Sequence, residues 1–285
     1  MSELARRVAF AVVAIPVALV VLWVGGVWLA LLLALISGLG AWELFRIARA
    51  GGIAPFTWAG VVAAAAIPLL VHGDRERWLR VPISAATIAV LALLGASVWL
   101  RGVNGRPLAA VAVTIFGVVY TGVMLSFGYA LRYYPYAIDR PAGAALVLLP
   151  LLLTWASDTG AYFVGRAFGK RKLIPSVSPG KTVAGAVGAV VLTVLVSLVY
   201  ARFVLHPAAQ LAFTPQGAVL FGAAISVVAQ LGDLVESLLK REAGVKDSSH
   251  VIPGHGGILD RFDSLFFVLP VSYPLLLWLL LPAPQ

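Results

Sequence analysis

The chain contains no cysteine. That absence excludes disulfides, thiolate metal sites and cysteine nucleophiles, and says little about compartment. Charge is scarce as well. Only 12% of the 285 residues are Asp, Glu, Lys or Arg, against about 25% in an ordinary soluble domain. Acids are the scarcer sign, 12 against 21 lysines and arginines. The resulting net charge of +9 fits basic residues that flank membrane spans and meet anionic lipid. No basic-aromatic module of a nucleic-acid-binding type is present, so nucleic acid is not an expected partner. What the chain has in abundance is apolar residues, 61% of the total. They recur from end to end in runs of about 20, the length of a transmembrane helix. The fold class that follows is an all-α polytopic integral membrane protein, with membrane lipid as its surroundings and no soluble domain expected at either end.

Hydropathy predicts about nine spans, over residues 8–24, 27–45, 57–72, 81–100, 108–131, 143–165, 182–205, 216–239 and 264–281. The start, "MSELARRVAFAVVAIPVALVVLWVGG", has the arginines and apolar run of a signal peptide. It lacks a small-x-small cleavage site and runs straight into a second apolar segment, so a retained first span is expected. No internal repeat is visible. The chain is read as an N-terminal region of about five spans (1–142) and a C-terminal catalytic region of about four (143–285), packed as one integral unit.

The distribution of lysine and arginine orients the spans. With a cytoplasmic N-terminus, Arg75, Arg77, Arg80, Arg132, Arg140 and Arg202 fall on the far side, and every lysine falls in the cytoplasm. An odd number of spans then puts the C-terminus outside. Two polar loops lie on the cytoplasmic side: "GRAFGKRKLIPSVSPGKT" (Gly165–Thr182) and the one within "KREAGVKDSSHVIPGHGGILDRFDS" (Lys240–Ser264).

Three acids fall inside predicted spans: Asp158, Asp233 and Glu236. A carboxylate in hydrocarbon is costly unless it faces a cavity or a partner, so each is a candidate functional group. Asp158, Tyr162 and Arg166 are spaced i, i+4, i+8 on one helical face, with Gly160 and Gly165 allowing close backbone approach. Asp233, Glu236, Ser237 and Lys240 form a polar stripe running towards the second loop. The plain alternative is that Asp233 or Glu236 pairs with Lys240 or Arg241 as a structural tie. Glu43 is read in that way, as a membrane-edge acid beside Arg46.

The loop chemistry suits phosphate and metal. Asp233, Asp247, Asp260 and Asp263 offer hard oxygens for Mg²⁺, which completes its shell with water and substrate phosphates. Lys170, Arg171, Lys172, Lys181, Lys240, Arg241, Lys246 and Arg261 can neutralise a polyphosphate. "SPGKT" (Ser178–Thr182) and "PGHGG" (Pro253–Gly257) are expected turns whose glycines admit oxyanions to backbone N–H groups. "PGKT" has no G-x-x-x-x-G-K-[ST] spacing and follows no strand, so it is not a P-loop. Ser248 and Ser249 read as loop polar groups. His250 and His255 lack a zinc-binding spacing, and His255 is open between an acid-base role and a structural one. A cytoplasmic site of this composition next to lipid suits phosphoryl or nucleotidyl transfer to a lipid phosphate, where positioning and charge neutralisation carry the catalysis.

Ser237-x-x-Lys240-Arg241-x₄-Lys246-Asp247-x₅-Pro253-x-His255-Gly256-Gly257-x-x-Asp260-Arg261-x-Asp263 resembles the signature of the phosphatidate cytidylyltransferases, also called CDP-diacylglycerol synthases. "SDTGAYFVGRAFGKRKLIPSVSPGKT", from Ser157, is similar to their other shared block. Together they span roughly residues 154–264. The N-terminal half agrees in hydropathy alone. After "KT" the family carries an aromatic and an acid or amide where Val183 and Ala184 stand here, so no catalytic role is assigned there.

The resemblance implies that CTP and phosphatidate give CDP-diacylglycerol and pyrophosphate, in a bacterial cell membrane, with the active site facing the cytoplasm. It implies Mg²⁺ on Asp233 and Asp260, with K⁺ as a second cation. Lys240, Arg241, Lys246 and Arg261 would hold phosphates with Lys170, Lys172 and Lys181, and Asp247 and Asp263 would orient Lys246 and Arg261. His255 is carried as a further catalytic candidate. Asp158, Tyr162, Ser178, Thr182, Glu236, Ser237, Gly256 and Gly257 are the remaining substrate-site candidates. The two blocks are read as two halves of one active site, and a homodimer is implied. Two alternatives stand beside this reading: another CTP-dependent lipid kinase or transferase, and a secondary transporter, which would show matching broken helices in its two halves.

Overall fold

The computed structural model describes residues 3–249 and 256–282. The chain is carried by α1 (Glu3–Val24), α2 (Gly26–Ala50), α3 (Thr57–Arg75), α4 (Ile83–Leu100), α5 (Pro107–Arg132), α6 (Arg140–Phe168), α7 (Val183–Ala209), α8 (Pro215–Glu242) and α9 (Leu259–Leu279). Helices α2 to α9 are each long and apolar enough to cross a membrane, and α1 contributes the shorter apolar stretch Val12–Val24. Each expected span falls on one of these helices, and the protein is a helical, polytopic membrane protein. Helix α4 buries none of its apolar side chains, the state that lipid rather than water accommodates.

The helix boundaries have local causes. Gly25 and Gly26 adopt φ of 69° and 57°, the left-handed backbone that glycine enters without a Cβ penalty, and so break α1 from α2. The carboxylate of Asp139 caps α6 by accepting the Ala142 N–H at 2.8 Å, and the Thr182 hydroxyl caps α7 by accepting the Gly185 N–H at 3.1 Å. Inside the spans, hydroxyls return to the preceding turn, as Thr114 does to the Ala110 carbonyl and Ser272 to that of Val268, both at 2.7 Å. Such back-bonding hides polar groups from hydrocarbon. Helices α5 and α7 each contain a π-helical turn, Val118–Val123 and Ala201–Leu205.

The chain divides into two compact units. The first comprises Met1–Tyr129 and Leu239–Arg261. Its core is Ala41, Phe45 and Ala64, with Val61 and Val113 packed against them. The Phe45 ring fits there because Gly60 and Gly117 carry no side chain: a Cβ at Gly60 would lie 2.5 Å from the ring, and one at Gly117 would also overlap it. The Ser37 hydroxyl ties α2 to α5 by donating to the Thr121 carbonyl at 2.9 Å.

The second unit comprises Ala130–Leu238 and Phe262–Gln285. Small residues let α6 and α7 approach. A Cβ at Gly160 would lie 2.6 Å from the Gly188 carbonyl oxygen, and one at Gly185 would lie 2.7 Å from that of Ala161. Between these helices, β1 (Lys172–Ile174) and β2 (Ser178–Thr182) pair antiparallel. The sequence reading treats "SPGKT" as a turn; it is the second strand of this hairpin, and it delivers Lys181 and Thr182 to the start of α7. A second antiparallel pair, β3 (Leu211–Phe213) with β4 (Leu280–Pro282), links the segment before α8 to the end of α9. These short strands are the departure from an all-helical chain.

The last span also begins earlier than hydropathy places it. Helix α9 starts at Leu259 rather than at residue 264, so Asp260 and Asp263 are helical residues. A first turn tolerates acids because its N–H groups are free and its dipole end is positive.

Candidate active site

In the second unit, a cavity of about 630 Å³ opens where α6, the β1–β2 hairpin, the start of α7 and α8 meet. Asp158, Tyr162 and Arg166 all line it, as their i, i+4, i+8 spacing requires. The Arg166 guanidinium donates to the Tyr162 hydroxyl at 3.0 Å. The hairpin contributes Lys172, Gly180, Lys181 and Thr182, and α8 contributes Gln230 and Asp233. Lys181 Nζ lies 2.8 Å from Asp233 Oδ2 and 3.5 Å from the Gln230 carbonyl. The ion pair of Asp233 is therefore with Lys181 of the first signature block rather than with Lys240 or Arg241. Ser237 donates to Asp233 Oδ1 at 3.4 Å. Asp263, half-buried in α9, accepts the Ser264 N–H at 2.6 Å and feels the charges of Asp233, Asp158 and Lys181. Gln230, which lines the cavity, donates from its amide to the Ser226 carbonyl at 3.2 Å. Ser226 in turn meets the Ser157 hydroxyl at 3.1 Å.

In the first unit the polar residues gather around two carboxylates. Asp260 Oδ1 accepts Lys240 Nζ at 2.6 Å. Its Oδ2 accepts the Ser248 hydroxyl and the Gly257 N–H, both at 2.8 Å. The backbone of Gly256 turns at φ 84°, bringing the Gly257 N–H onto that carboxylate. Glu43, with no exposed surface, is the second centre. It accepts the Ser248 hydroxyl at 3.0 Å, the Ile258 N–H at 3.0 Å, the Leu259 N–H at 2.7 Å and the Ser249 hydroxyl. The edge reading of Glu43 is corrected by this geometry: Arg46 is exposed and lies over the Trp42 ring, 5.9 Å from its centroid.

The other candidates are placed as follows. Arg241 is exposed and donates to the Val245 carbonyl at 3.3 Å. Lys170, Lys246, Asp247 and Arg261 are exposed, and Ser178 is half-buried in β2. Glu236 is buried on α8. His255 lies outside the described residues, as do His250 and Pro253. Sequence reasoning missed Gln230 and the role of Glu43. Gln230 carried a legible signal, lying one turn before Asp233; Glu43 carried none beyond being an acid in an apolar run.

Among the described residues, no three acids or histidines are grouped to hold a metal ion unaided. Mg²⁺ needs no such group, since it binds through one or two carboxylates plus water and substrate phosphates. Asp233 fits that requirement, a hard-oxygen donor with about a third of its side chain accessible (34%). Asp260 fits by exchange, because its Oδ1 already carries a cation in the Lys240 ammonium.

The model of the family described as Cytidylyltransferase family matches residues 5–279. A Staphylococcus epidermidis protein named phosphatidate cytidylyltransferase is 35% identical over 273 residues, covering 95% of this chain and 98% of its own. A Staphylococcus aureus protein of the same name is 34% identical over 252 residues, covering 80% and 91%. One from Bacillus subtilis is 39% identical over 191 residues, covering 67% and 66%.

Proposed function

This chain belongs to the cytidylyltransferase family, and from that premise we propose that it is a phosphatidate cytidylyltransferase: it transfers CMP from CTP to phosphatidate, releasing pyrophosphate and forming CDP-diacylglycerol. The observation that carries the reading is the cavity of the second unit, where Arg166, Lys172 and Lys181 face Asp158 and Asp233 inside a bundle of apolar helices. Cations of this density suit a triphosphate, and the acids beside them suit its metal.

In the proposed reaction a phosphate oxygen of phosphatidate attacks the α-phosphorus of CTP. The bond to the β-phosphate bridging oxygen breaks, and pyrophosphate leaves with that electron pair. Lys172 and Lys181 orient the triphosphate and neutralise it. Lys240, with Arg241, Lys246 and Arg261, is assigned to phosphates on the resemblance, and Lys170 with them. Asp233 and Asp260 are each proposed as Mg²⁺ ligands on the resemblance; a bound ion would neutralise charge developing on the phosphoryl oxygens. K⁺ as a second cation is proposed on the resemblance alone. We also propose that the cavity faces the cytoplasm, the side that holds CTP, and that the protein is a homodimer.

The test is an assay of purified protein with CTP and phosphatidate. Mg²⁺-dependent release of pyrophosphate with formation of CDP-diacylglycerol is expected, and chelation of the metal should stop it reversibly. A CTP-dependent lipid kinase would release CDP instead, and a transporter would consume no CTP. Either result removes the proposal.

A further inference from the structure

Glu43 lies in α2, outside both signature blocks, yet its carboxylate holds residues from one of them. Two of its donors, the Ser248 and Ser249 hydroxyls, precede residues 250–255. The other two, the Ile258 and Leu259 N–H groups, follow them. One side chain therefore ties both ends of the signature loop to a membrane helix. The N–H groups at 258 and 259 belong to the start of α9, where donors have no partner within the helix and the dipole end is positive. A carboxylate is the group that satisfies both conditions. The contact also requires glycine at 257, because a Cβ there would overlap the Glu43 carboxylate and the Ser248 hydroxyl.

The arrangement reaches the candidate chemistry in one step. The Ser248 hydroxyl has one proton and stands 3.0 Å from Glu43 Oε2 and 2.8 Å from Asp260 Oδ2. It can donate to only one of them at a time, so the two carboxylates are linked through it. Asp260 in turn holds Lys240 at 2.6 Å, and the Leu259 N–H held by Glu43 is the backbone group immediately before Asp260.

We propose that Glu43 is a positioning residue of the transferase: by clasping both ends of the signature loop it sets where Asp260 and Lys240 stand for the nucleotide phosphates. This rests on the cytidylyltransferase reading. It assigns a role to a residue of the N-terminal half, outside the two signature blocks.

The test compares full-length wild type, Glu43→Gln and Glu43→Asp in lipid nanodiscs. Glutamine keeps the shape but turns one acceptor into a donor facing other donors. KM for CTP should rise about tenfold with a fall in kcat, the effect of leaving a buried donor unsatisfied. Trypsin cleavage after the exposed Lys246 should accelerate. Glu43→Asp, which keeps the carboxylate, should recover part of both. A residue that served stability alone would lower the amount of active enzyme and leave KM unchanged. A Glu43→Gln enzyme with wild-type KM and wild-type cleavage overturns the inference. If Glu43→Gln does not accumulate, Ser249→Ala, which removes one of the four donors, carries the test: a rise in KM of about threefold with faster cleavage is expected, and no change in either overturns it. Inactive wild-type protein would instead count against the cytidylyltransferase reading itself.

Discussion

Lys240 is held in this structure by Asp260 of its own signature block, and Lys181 by Asp233, which stands just before that block begins at Ser237. Lys240 is nearly buried, with 11% of its side chain exposed, and its carboxylate partner Asp260 is equally enclosed. Asp260→Asn keeps the side-chain shape but replaces the carboxylate 2.6 Å from a nearly buried ammonium with a neutral amide, and breaking a buried pair costs up to about 3–5 kcal/mol. We expect this variant to insert into membranes at near-normal levels and to form no detectable CDP-diacylglycerol; near-normal turnover would remove Asp260 from the metal assignment. Lys181→Ala removes a cavity cation and should raise KM for CTP about tenfold or more, since a hydrogen bond to a charged group is worth about 1.5–3 kcal/mol. Lys181→Arg should recover part of that affinity, and a Michaelis series on the three proteins checks both statements. Several of these residues were legible in the sequence. Asp158, Tyr162 and Arg166 share one helix, and helical periodicity alone puts them on one face. The pairing of Lys181 with Asp233, 52 positions further on, was not legible, because it depends on how the hairpin and α8 come together. Glu43 was misread for the same reason. Its neighbour in sequence is Arg46, while its partners lie more than 200 positions away.

Helices α6 and α7 pack through glycines, and that contact shapes the cavity wall. A side chain at Gly188 would collide with Val164. Gly188→Leu is therefore expected to abolish monodisperse, folded protein in detergent, which size-exclusion chromatography of the extracted membrane fraction would detect. Gly180→Ala offers the contrast. Among the described residues nothing lies within 4 Å of the position a Cβ would take, and φ there is not in the left-handed region. Its thermal stability should stay within about 0.5 kcal/mol of wild type, the usual range for a surface change, and a melting curve in detergent decides. Helix positions were well predicted because a span must be about 20 apolar residues long, whatever its neighbours are. The β1–β2 hairpin and the early start of α9 were not. Both lie where polar residues interrupt the hydropathy signal, and the start of α9 is fixed by one short-range hydrogen bond, Gly257 to Asp260, and one remote in sequence, Leu259 to Glu43.

At the scale of the whole molecule, the expected topology makes its own prediction. A C-terminal reporter should be active only on the outer side of the membrane, and an N-terminal one only in the cytoplasm. The reverse result would overturn the orientation read from the lysines. Added CTP should be consumed by inverted membrane vesicles and not by sealed right-side-out ones. By itself the sequence determined that this chain crosses a membrane repeatedly, where its long apolar helices lie, and which family its two polar blocks resemble. Each of these is a local property: a run of apolar residues long enough to cross hydrocarbon, or a set of charged residues that hydrocarbon would not accept unpaired. Only the tertiary structure decided that Lys181 pairs with Asp233, that Gln230 lines the cavity, and that Glu43 anchors the signature loop. Those are contacts between segments remote in sequence, selected once the helices are packed because polar groups taken wholly or partly out of water need partners.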